Sequence, residues 1–278
     1  MIQIRDLGFS YSGNKVLENI SMDLKEGHIY GLLGGNGVGK TTLLTLICGL
    51  KKPQSGKIDI DGHAPYDREP SLLSEIYYLG DEVSAPNIKA SDFAANFGKF
   101  HERFDLEKFM TIMSEFETSP QQKMNTMSHG QLKKTHIAFA LACGSRYLIM
   151  DEPTNGLDIP SKAQFRKAVM KYTHEDATIL ISTHQVRDLE NIIDPIIILD
   201  SHEVLLNASL ERISEKLFFD YSNGKRTDAL YSEMIPGSSI QVCLNTNEED
   251  SKVNIEALFN TAHIHKDIIK DIFAHSEI

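Results

Sequence analysis

The chain has 278 residues, a length that allows one or two domains. Apolar residues make up 41% and charged residues 24% of it, proportions of an ordinary globular protein that exclude a disordered or collagen-like chain. Its 28 Lys and Arg against 39 Asp and Glu give a net charge of −11, which argues against a general nucleic-acid binder and against a polybasic membrane anchor.

Two half-buried strands, a buried strand and a helix are the first elements that the sequence predicts. Residues 2–4 and 20–24 alternate apolar and polar side chains, a period typical of strands with one buried face. Residues 28–35 form a continuous apolar run that ends in glycines, as expected of a strand buried on both faces of a parallel sheet. Apolar residues then recur at helical spacing over 43–50. The predicted order is therefore strand, glycine-rich turn and helix.

The glycine-rich turn has the pattern of a phosphate-binding loop. The segment Gly34–Thr41 reads GGNGVGKT and fits G-x-x-x-x-G-K-[ST] between a predicted strand and a predicted helix, the context that this motif requires. Glycines allow successive backbone N–H groups to point at phosphate oxygens, and the helix adds the positive end of its dipole. Lys40 would reach the β- and γ-phosphates, and the Thr41 hydroxyl would hold Mg²⁺.

Strand and helix patterns alternate further along the chain. Residues 84–145 have mainly helical patterns. Short, buried apolar runs return at 147–150, 178–182 and 196–199, and helical stretches separate them. This alternation predicts a parallel sheet with helices on both of its faces.

Two adjacent carboxylates follow the apolar run at 147–150. Asp151 and Glu152 would lie at the carboxyl end of a strand, where open α/β sheets place their ligands. Successive side chains of a strand point in opposite directions, so the two acids cannot share one role. We expect Asp151 to bind Mg²⁺ through water, and Glu152 to face an attacking water as its base or orienter.

The C-terminal segment 217–278 differs from the rest of the chain. It combines turn signals such as Pro236–Gly237 with short apolar runs such as Leu217–Phe219. Apolar residues at helical spacing over 264–272 predict a final helix, whose apolar face must be buried against the rest of the chain, a second copy or a membrane partner. We interpret 217–278 as a small accessory domain that follows a first domain over 1–216.

Cysteine usage and hydropathy indicate the compartment. Cys48, Cys143 and Cys243 are scattered, without a C-x-x-C pair, which favours a reducing cytosol over a disulfide framework or a zinc ribbon. The N-terminus lacks the basic flank and long apolar run of a signal peptide. Because no stretch approaches 18 consecutive apolar residues, we expect any membrane span to belong to another chain.

A third motif narrows the class of phosphate-binding protein. Met127–Gln131, MSHGQ, resembles the LSGGQ signature of ATP-binding cassette (ABC) ATPases, and Ser128 lies 23 residues before Asp151, where that family carries it. Ser128 and Gly130 match the consensus, whereas Met127 and His129 depart from it. A helical pattern follows, so Ser128 and the next backbone N–H groups would lie at a helix N-terminus, which suits phosphate.

The resemblance extends over about the first 215 residues. Tyr11 matches the aromatic position that stacks on adenine in the family. Residues 153–158, PTNGLD, resemble the D-loop, with Asp158 as its acidic residue. His184 follows an apolar run and matches the switch histidine that senses the γ-phosphate. The order of these five motifs along the chain is that of the family.

One motif departs from the family pattern. The family usually has a glutamine near residues 78–81 that touches Mg²⁺ and links the nucleotide to the helical region, but Asp81 or Glu82 occupies that place here. A carboxylate still ligates Mg²⁺ as an oxygen donor, but it cannot donate a hydrogen bond as an amide does. The alternative is that residues 80–87 are simply a solvated acidic loop.

The resemblance implies an α/β fold. The expected fold is a P-loop NTPase cassette with a mixed, largely parallel sheet, an N-terminal antiparallel β subdomain, a helical subdomain over about 84–145 and a small α+β C-terminal extension. The cofactors would be ATP and Mg²⁺. Catalysis is assigned to Lys40, Glu152 and His184, and Mg²⁺ to Thr41, Asp81 and Asp151. The residues assigned to the nucleotide are Tyr11, Gly34, Gly35, Asn36, Gly37, Val38, Gly39, Lys40, Thr41, Thr42, Ser128, Gly130, Gln131 and Asp158.

By the same resemblance, two cassettes pair head to tail around two ATP molecules, as a homodimer or a heterodimer. The chain looks like the ATPase subunit of a bacterial exporter-type transporter, held on the cytoplasmic face of the membrane by a separate permease. Two alternatives stay open: a soluble ABC ATPase acting on ribosomes or DNA, and a non-hydrolysing nucleotide-binding regulator. A single phosphate loop, the lack of heptads and the acidic balance disfavour the soluble ATPase, so we expect no nucleic-acid partner. Glu152 and His184 disfavour the non-hydrolysing regulator.

Overall fold

The computed structural model describes residues 1–222, 224 and 226–273 of the chain. The strands are β1 (Ile2–Tyr11), β2 (Asn14–Leu24), β3 (Ile29–Leu33), β4 (Ser55–Ile60), β5 (Ile76–Leu79), β6 (Tyr147–Asp151), β7 (Thr178–Thr183), β8 (Ile196–Asp200), β9 (Glu203–Ala208), β10 (Leu217–Asp220), β11 (Tyr231–Ile235) and β12 (Ser238–Leu244). The helices are α1 (Lys40–Ile47), α2 (Pro70–Glu75), α3 (Ala90–Phe97), α4 (Leu106–Glu115), α5 (His129–Ala142), α6 (Ile159–Tyr172), α7 (Leu210–Lys216), α8 (Ile255–Ile264) and α9 (Lys266–Phe273).

A six-stranded sheet in the order β5-β6-β7-β3-β8-β9 forms the centre of the molecule. Its first five strands are parallel, and β9 returns antiparallel to β8. Strands β3, β6, β7 and β8 are almost wholly buried, as continuous apolar sequences in a covered parallel sheet should be. The strands predicted at 28–35, 147–150, 178–182 and 196–199 are therefore confirmed.

A separate antiparallel sheet, β2-β1-β4, covers α1. The alternating residues Ile2, Ile4 and Ile60 face inward and pack in one apolar cluster with Leu43 and Ile47 of α1. The expected N-terminal antiparallel β subdomain is therefore present, and its inner face supports the helix that follows the glycine-rich loop.

The segment between β5 and β6 is helical, as expected. Helices α3, α4 and α5 pack around aromatic residues: Phe139 of α5 lies 5.0 Å from Phe93 and 5.3 Å from Phe104, measured between ring centroids. Phe93 and Phe139 belong to the same apolar cluster as Leu148 and Met150 of β6, and Phe104 packs against that cluster. The helical region is thereby attached to the strand that carries the predicted carboxylates.

The C-terminal segment forms a third antiparallel sheet, β10-β12-β11, with α8 and α9. Its residues Phe219, Val242 and Leu258 belong to the same apolar cluster as Ile196 and Ile198 of the central sheet. Polar contacts of Asp200 add to this packing: its Oδ2 lies 2.7 Å from Nδ1 of His263 and 3.0 Å from the ammonium of Lys266. Positions 223, 225 and 274–278 of the predicted accessory segment lie outside the described residues.

The predicted final helix over 264–272 is interrupted. Helix α8 ends at Ile264 and α9 begins at Lys266, because His265 leaves the helical conformation and its Nε2 lies 2.7 Å from the carbonyl oxygen of Leu230. The apolar positions accordingly divide: Ile269 is buried, whereas Ile264 is 58% exposed. Within the described residues, none of the helices has the length and apolar character needed to cross a bilayer.

Candidate nucleotide-binding site

The glycine-rich segment forms a loop between β3 and α1. Residues 35–37 are exposed, whereas Gly34 and Gly39 are buried at the two ends of the loop. A Cβ atom on Gly34 would lie 2.7 Å from the carbonyl oxygen of Leu199, and Gly39 has a φ of 113°. A side chain at either end would clash or be strained, so glycine is required for this loop shape.

Lys40 is the first residue of α1, and its ammonium lies over the loop. The side chain is 7% exposed, and Nζ donates to the carbonyl oxygens of Gly34 at 2.8 Å and Gly35 at 3.2 Å. The same ammonium lies 3.5 Å from Oε1 of Glu152. The cation is therefore held between the loop and the carboxylate that follows β6, and its role as a phosphate ligand stays a prediction.

Asp151 ends β6 beneath α1 and is 2% exposed. Its Oδ2 accepts a hydrogen bond from Thr41 Oγ1 at 2.6 Å and one from Tyr78 at 3.5 Å, and its Oδ1 accepts one from the hydroxyl of Ser182. Burial raises the pKa of Tyr78, and the negative charge of Asp151 raises it further. The structure thus brings the hydroxyl of Thr41 and the carboxylate of Asp151 together.

The oxygen donors of Thr41 and Asp151 suit Mg²⁺, which takes one or two carboxylates and completes its shell with water and phosphate oxygens. No group of three or more His, Cys, Asp or Glu side chains in the described part of the chain is placed to hold a metal ion. These residues therefore fit a magnesium ion delivered with a nucleotide, rather than a metal held by protein ligands alone.

Glu152 has an unusual backbone. Its φ of 45° is in the left-handed region, which is rarely occupied by residues other than glycine and is often associated with functional sites. Its N–H donates to the carbonyl oxygen and to the hydroxyl of Ser182, at 3.2 and 3.1 Å. Oε1 lies 2.9 Å from Nδ1 of His184, whose own N–H donates to Oε2 at 3.4 Å. Lys40 at the start of α1 thus meets Glu152 and His184, which directly follow β6 and β7.

Tyr11, at the end of β1, lies beside the same helix. Its side chain is 43% exposed, and its hydroxyl oxygen is 3.4 Å from Oγ1 of Thr42. The ammonium of Lys51 lies 5.1 Å from the centroid of its ring. Tyr11 thus presents an exposed aromatic ring beside α1, and its role in stacking on a base stays a prediction.

The signature segment forms the N-terminus of α5. The hydroxyl of Ser128 accepts from the N–H of Gln131 at 3.2 Å, and Oε1 of Gln131 accepts from the N–H of Ser128 at 3.0 Å, which makes a reciprocal capping box. No hydrogen bond or ion pair of the described residues joins 128–131 to the phosphate loop 34–41. Within the described residues the polar contacts of the signature segment are therefore not with the loop of its own chain.

Residues 153–158 run alongside the signature segment. A Cβ atom on Gly156 would lie 2.7 Å from Cδ2 of His129, so the imidazole rests directly on this glycine. Asp158 caps α6 by accepting from the N–H of Ser161 at 2.9 Å, and hydrogen bonds from Ser161 hold the pKa of its carboxyl below the ordinary value. The histidine that departs from the consensus thus packs against the D-loop of its own chain.

Asp81 does not contact Thr41 or Asp151 through any hydrogen bond of the described residues. Its carboxylate is 43% exposed and accepts from Nδ2 of Asn155 at 3.2 and 3.4 Å. Nζ of Lys133, in α5, lies 3.4 Å from Oδ1 and donates to the backbone carbonyl of Asp81 at 2.7 Å. Burial lowers the pKa of Lys133, and the carboxylate of Asp81 opposes that shift.

Comparisons with known proteins agree with this geometry. A family model described as ABC transporter matches residues 17–155, half of the chain. An uncharacterised ABC transporter ATP-binding protein of Bacillus subtilis, YdbJ, is 30% identical over 76% of this chain and 70% of its own length. The chain belongs to the ABC transporter ATP-binding family. Proteins of this family bind ATP and are in general ATPases.

Other members of the ABC family support the assignment over more of the chain. A second uncharacterised ABC transporter ATP-binding protein of B. subtilis, YcbN, is 28% identical over 93% of this chain and 82% of its own length. The bacitracin transport ATP-binding protein BcrA of Bacillus licheniformis is 29% identical over 78% of this chain and 72% of its own length.

Solved ABC cassettes share the fold. A structure described as the ATP-binding subunit of an ABC transporter superposes with a TM-score of 0.70 over 77% of this chain and 91% of that one, at 23% identity. A cassette solved as a dimer in a post-hydrolysis state with ADP and Pi superposes with a TM-score of 0.66 over 76% and 99%, also at 23% identity. The expected cassette fold is therefore confirmed.

Two residues of this ABC ATP-binding protein join the candidate site without having been predicted. Lys133 and Asn155 both bind Asp81, across 52 and 74 positions of sequence. Lysine is common on helices, and asparagine is common in turns, so neither residue type is a signal by itself. The only sequence clue is the acidic residue at the glutamine position, because a buried lysine requires a carboxylate or other acceptors nearby.

Proposed function

We propose that this chain is the ATP-binding and ATP-hydrolysing subunit of a transporter, and that it energises a separate membrane permease through ATP-dependent pairing of two cassettes. The observation that carries the proposal is the convergence of Lys40, Glu152 and His184 beside the glycine-rich loop. One cation, one nearly buried carboxylate and one imidazole in contact form a set that phosphoryl transfer uses and that a passive binding site does not need.

The triphosphate would bind across the loop and the N-terminus of α1. Backbone N–H groups of residues 34–39 and the helix dipole favour its negative charge. Lys40 would exchange its two carbonyl contacts for phosphate oxygens, a stronger, charge-assisted interaction. Thr41 and Asp151 would hold Mg²⁺, which neutralises charge on the phosphates. The ring of Tyr11 would stack on the base, beside Thr42.

Hydrolysis would proceed by positioning and charge neutralisation. Water attacks the γ-phosphorus in line with the bond to the β-γ bridging oxygen, that bond breaks, and the proton of the water passes to Glu152. His184 holds the carboxylate of Glu152 at 2.9 Å and would sense the γ-phosphate. Lys40 stabilises the negative charge that develops on the transferred group.

The signature segment would act on the nucleotide of a second cassette. Ser128, Gly130 and Gln131 do not reach the phosphate loop of their own chain, and the dimeric cassette with ADP and Pi offers a precedent for the pairing. In the pair, Ser128 would exchange its capping bond for the γ-phosphate of the partner, and Asp158 would lie at the same interface. The subunit would be cytoplasmic and held on the inner face of the membrane by its permease.

The decisive experiment has two arms. Titration calorimetry with Mg·ATP on the wild-type chain and on Lys40→Ala tests the nucleotide site, and equal affinities would refute it. Co-purification of the full-length chain from membranes tests the partner. Recovery of a stoichiometric polytopic membrane protein supports the transporter assignment, whereas stoichiometric recovery of ribosomes or DNA favours the soluble alternative.

A further inference from the structure

Gln185 directly follows His184, and its side-chain amide lies against the imidazole. Nε2 of Gln185 is 3.3 Å from Nε2 of His184, the ring nitrogen that does not contact Glu152. The backbone of Gln185 is fixed as well, because its N–H donates to Oγ1 of Thr183 at 2.9 Å. The ring of His184 is thus held at both nitrogens, by a carboxylate at Nδ1 and by an amide at Nε2.

Lys162 of α6 decides the orientation of this amide. Its Nζ lies 3.0 Å from Oε1 of Gln185, and an ammonium has only donors, so the amide oxygen faces the lysine and the NH₂ group faces His184. Lys162 is itself anchored, since its Nζ lies 2.7 Å from Oδ2 of Asp188 and the two side chains are 18% and 14% exposed. The same carboxylate accepts from the hydroxyl of Thr154 at 3.1 Å.

These contacts assign the single proton of the neutral imidazole of His184. Oε1 of Glu152 lies 2.9 Å from Nδ1 and only accepts, so Nδ1 carries the proton. Nε2 faces the NH₂ group of Gln185, which only donates, so Nε2 is the unprotonated nitrogen and accepts. In this form the ring has one N–H group, Glu152 engages it, and no ring donor is left for a second acceptor.

We propose that Gln185 is a positioning residue that keeps His184 unable to bind a γ-phosphate until the amide is displaced. The inference rests on the proposed function, in which His184 senses the γ-phosphate. Phosphate oxygens are acceptors, so Nε2 must gain a proton before it binds one, and the ring, which is 33% exposed, takes that proton from solvent. A protonated Nε2 then opposes the NH₂ group of Gln185, donor against donor, and the amide must leave. A triphosphate therefore works against this contact, whereas a diphosphate does not.

The first test locates the ring proton of His184 in the nucleotide-free, full-length chain at neutral pH. Nitrogen-15 NMR of histidine-labelled protein distinguishes protonated from unprotonated ring nitrogens, and the spectrum of His184→Asn assigns the signal among the 11 histidines. We expect a protonated Nδ1 and an unprotonated Nε2 in the wild type. Gln185→Glu keeps the shape of the side chain but presents only acceptors, so both nitrogens should be protonated. A protonated Nε2 in the wild type, or the same His184 signal in both chains, overturns the proposal.

The second test compares nucleotides with and without a γ-phosphate. Titration calorimetry uses Mg²⁺ with a non-hydrolysable ATP analogue and Mg²⁺ with ADP, at a protein concentration at which light scattering shows a monomer. Gln185→Leu removes the amide, and Gln164→Leu makes the same change at another half-buried glutamine, in α6. Loss of a competing hydrogen bond should make Gln185→Leu bind the analogue about three- to tenfold more tightly than the wild type does. Its affinity for ADP and both affinities of Gln164→Leu should be unchanged.

The two nucleotides separate the proposed role from a general effect on the fold. A general effect changes both affinities of Gln185→Leu together, so an equal change for the analogue and for ADP contradicts the proposal, as does an unchanged affinity for the analogue. If Gln185→Leu folds poorly, Gln185→Met, which is unbranched and similar in length to glutamine, takes its place with the same expected results. A wild-type chain that binds neither nucleotide refutes the proposed function, whereas binding of both without a difference in the variant refutes the role of Gln185 alone.

Discussion

Replacing Glu152 with glutamine separates nucleotide binding from hydrolysis most sharply. The carboxylate is 11% exposed and has two oxygens engaged by His184, one by Nδ1 at 2.9 Å and one by the backbone N–H at 3.4 Å. An amide of the same shape offers one acceptor instead of two and places its NH₂ group opposite a donor. It also removes the negative charge that lies 3.5 Å from the ammonium of Lys40. The variant therefore loses the proton acceptor and retains the shape of the site.

The expected loss of turnover follows from the role of Glu152 as a general base. A positioned general base contributes about 10²- to 10⁴-fold, so we expect Glu152→Gln to slow single-turnover phosphate release at least 100-fold, or about 2.7 kcal/mol of barrier. ATP affinity should be retained or should increase, because a negative charge near the γ-phosphate is lost, and an ATP-bound dimer should accumulate in light scattering. Glu175→Gln, which changes an exposed glutamate, is the control. A turnover of Glu152→Gln within threefold of the wild type would refute the assigned role.

Three further predictions concern binding, the C-terminal segment and pH. Lys40→Ala should weaken ATP binding ten- to 100-fold in calorimetry without lowering the melting temperature, because about 1.5–3 kcal/mol is typical of a hydrogen bond to a charged group; a change below twofold contradicts it. A chain that ends at Glu215 should still bind ATP but should unfold at a lower temperature or lose dimer formation in light scattering, because it lacks Phe219 and Leu258 and so uncovers Ile196 and Ile198 of the central sheet. Equal stability and dimerisation would contradict a structural role for the segment. Burial lowers the pKa of His136, whose ring donates to the Ser84 carbonyl, so the unfolded chain takes up the proton first and stability is lost as the pH falls below about 6.5. The urea midpoint of the wild type should decrease when the pH is lowered from 7.5 to 5.5, and the decrease should be smaller in His136→Gln. An identical decrease in the variant would contradict a contribution of His136 to the pH dependence.

Most of the central sheet could be predicted because its strands are covered on both faces. Such strands have continuous apolar sequences, and β6, β7 and β8 have sequences of this kind. Strand β5 was not predicted, since Ile76–Leu79 has only four residues and two of them are tyrosines. The break at His265 was missed for a different reason. It depends on a contact with Leu230, which no pattern over 264–272 contains.

In the candidate site, too, features formed by residues close in sequence could be predicted, whereas contacts between distant residues could not. Gly34–Thr41 is one continuous segment, so its glycines, Lys40 and Thr41 can be recognised together as a motif without any distant contact. The reciprocal cap of Ser128 and Gln131 is equally local, with the S-x-x-Q spacing that favours it. The contacts of Asp81 with Lys133 and Asn155 span the helical region and β6, so only the folded chain brings them together.

Lys40 and Lys133 carry the same charge but differ in how firmly their contacts hold them, and this difference separates their roles. Lys40 begins a helix at an exposed loop, and two of its contacts are carbonyl oxygens of that loop, which a phosphate group replaces at little structural cost. Lys133 is fully buried within a helix, and losing its partner leaves a charge that has no access to water. An incoming phosphate can therefore recruit Lys40 but cannot recruit Lys133. Lys40 is therefore the lysine whose contacts a phosphate can replace, whereas the contacts of Lys133 hold the loop that follows β5 against α5.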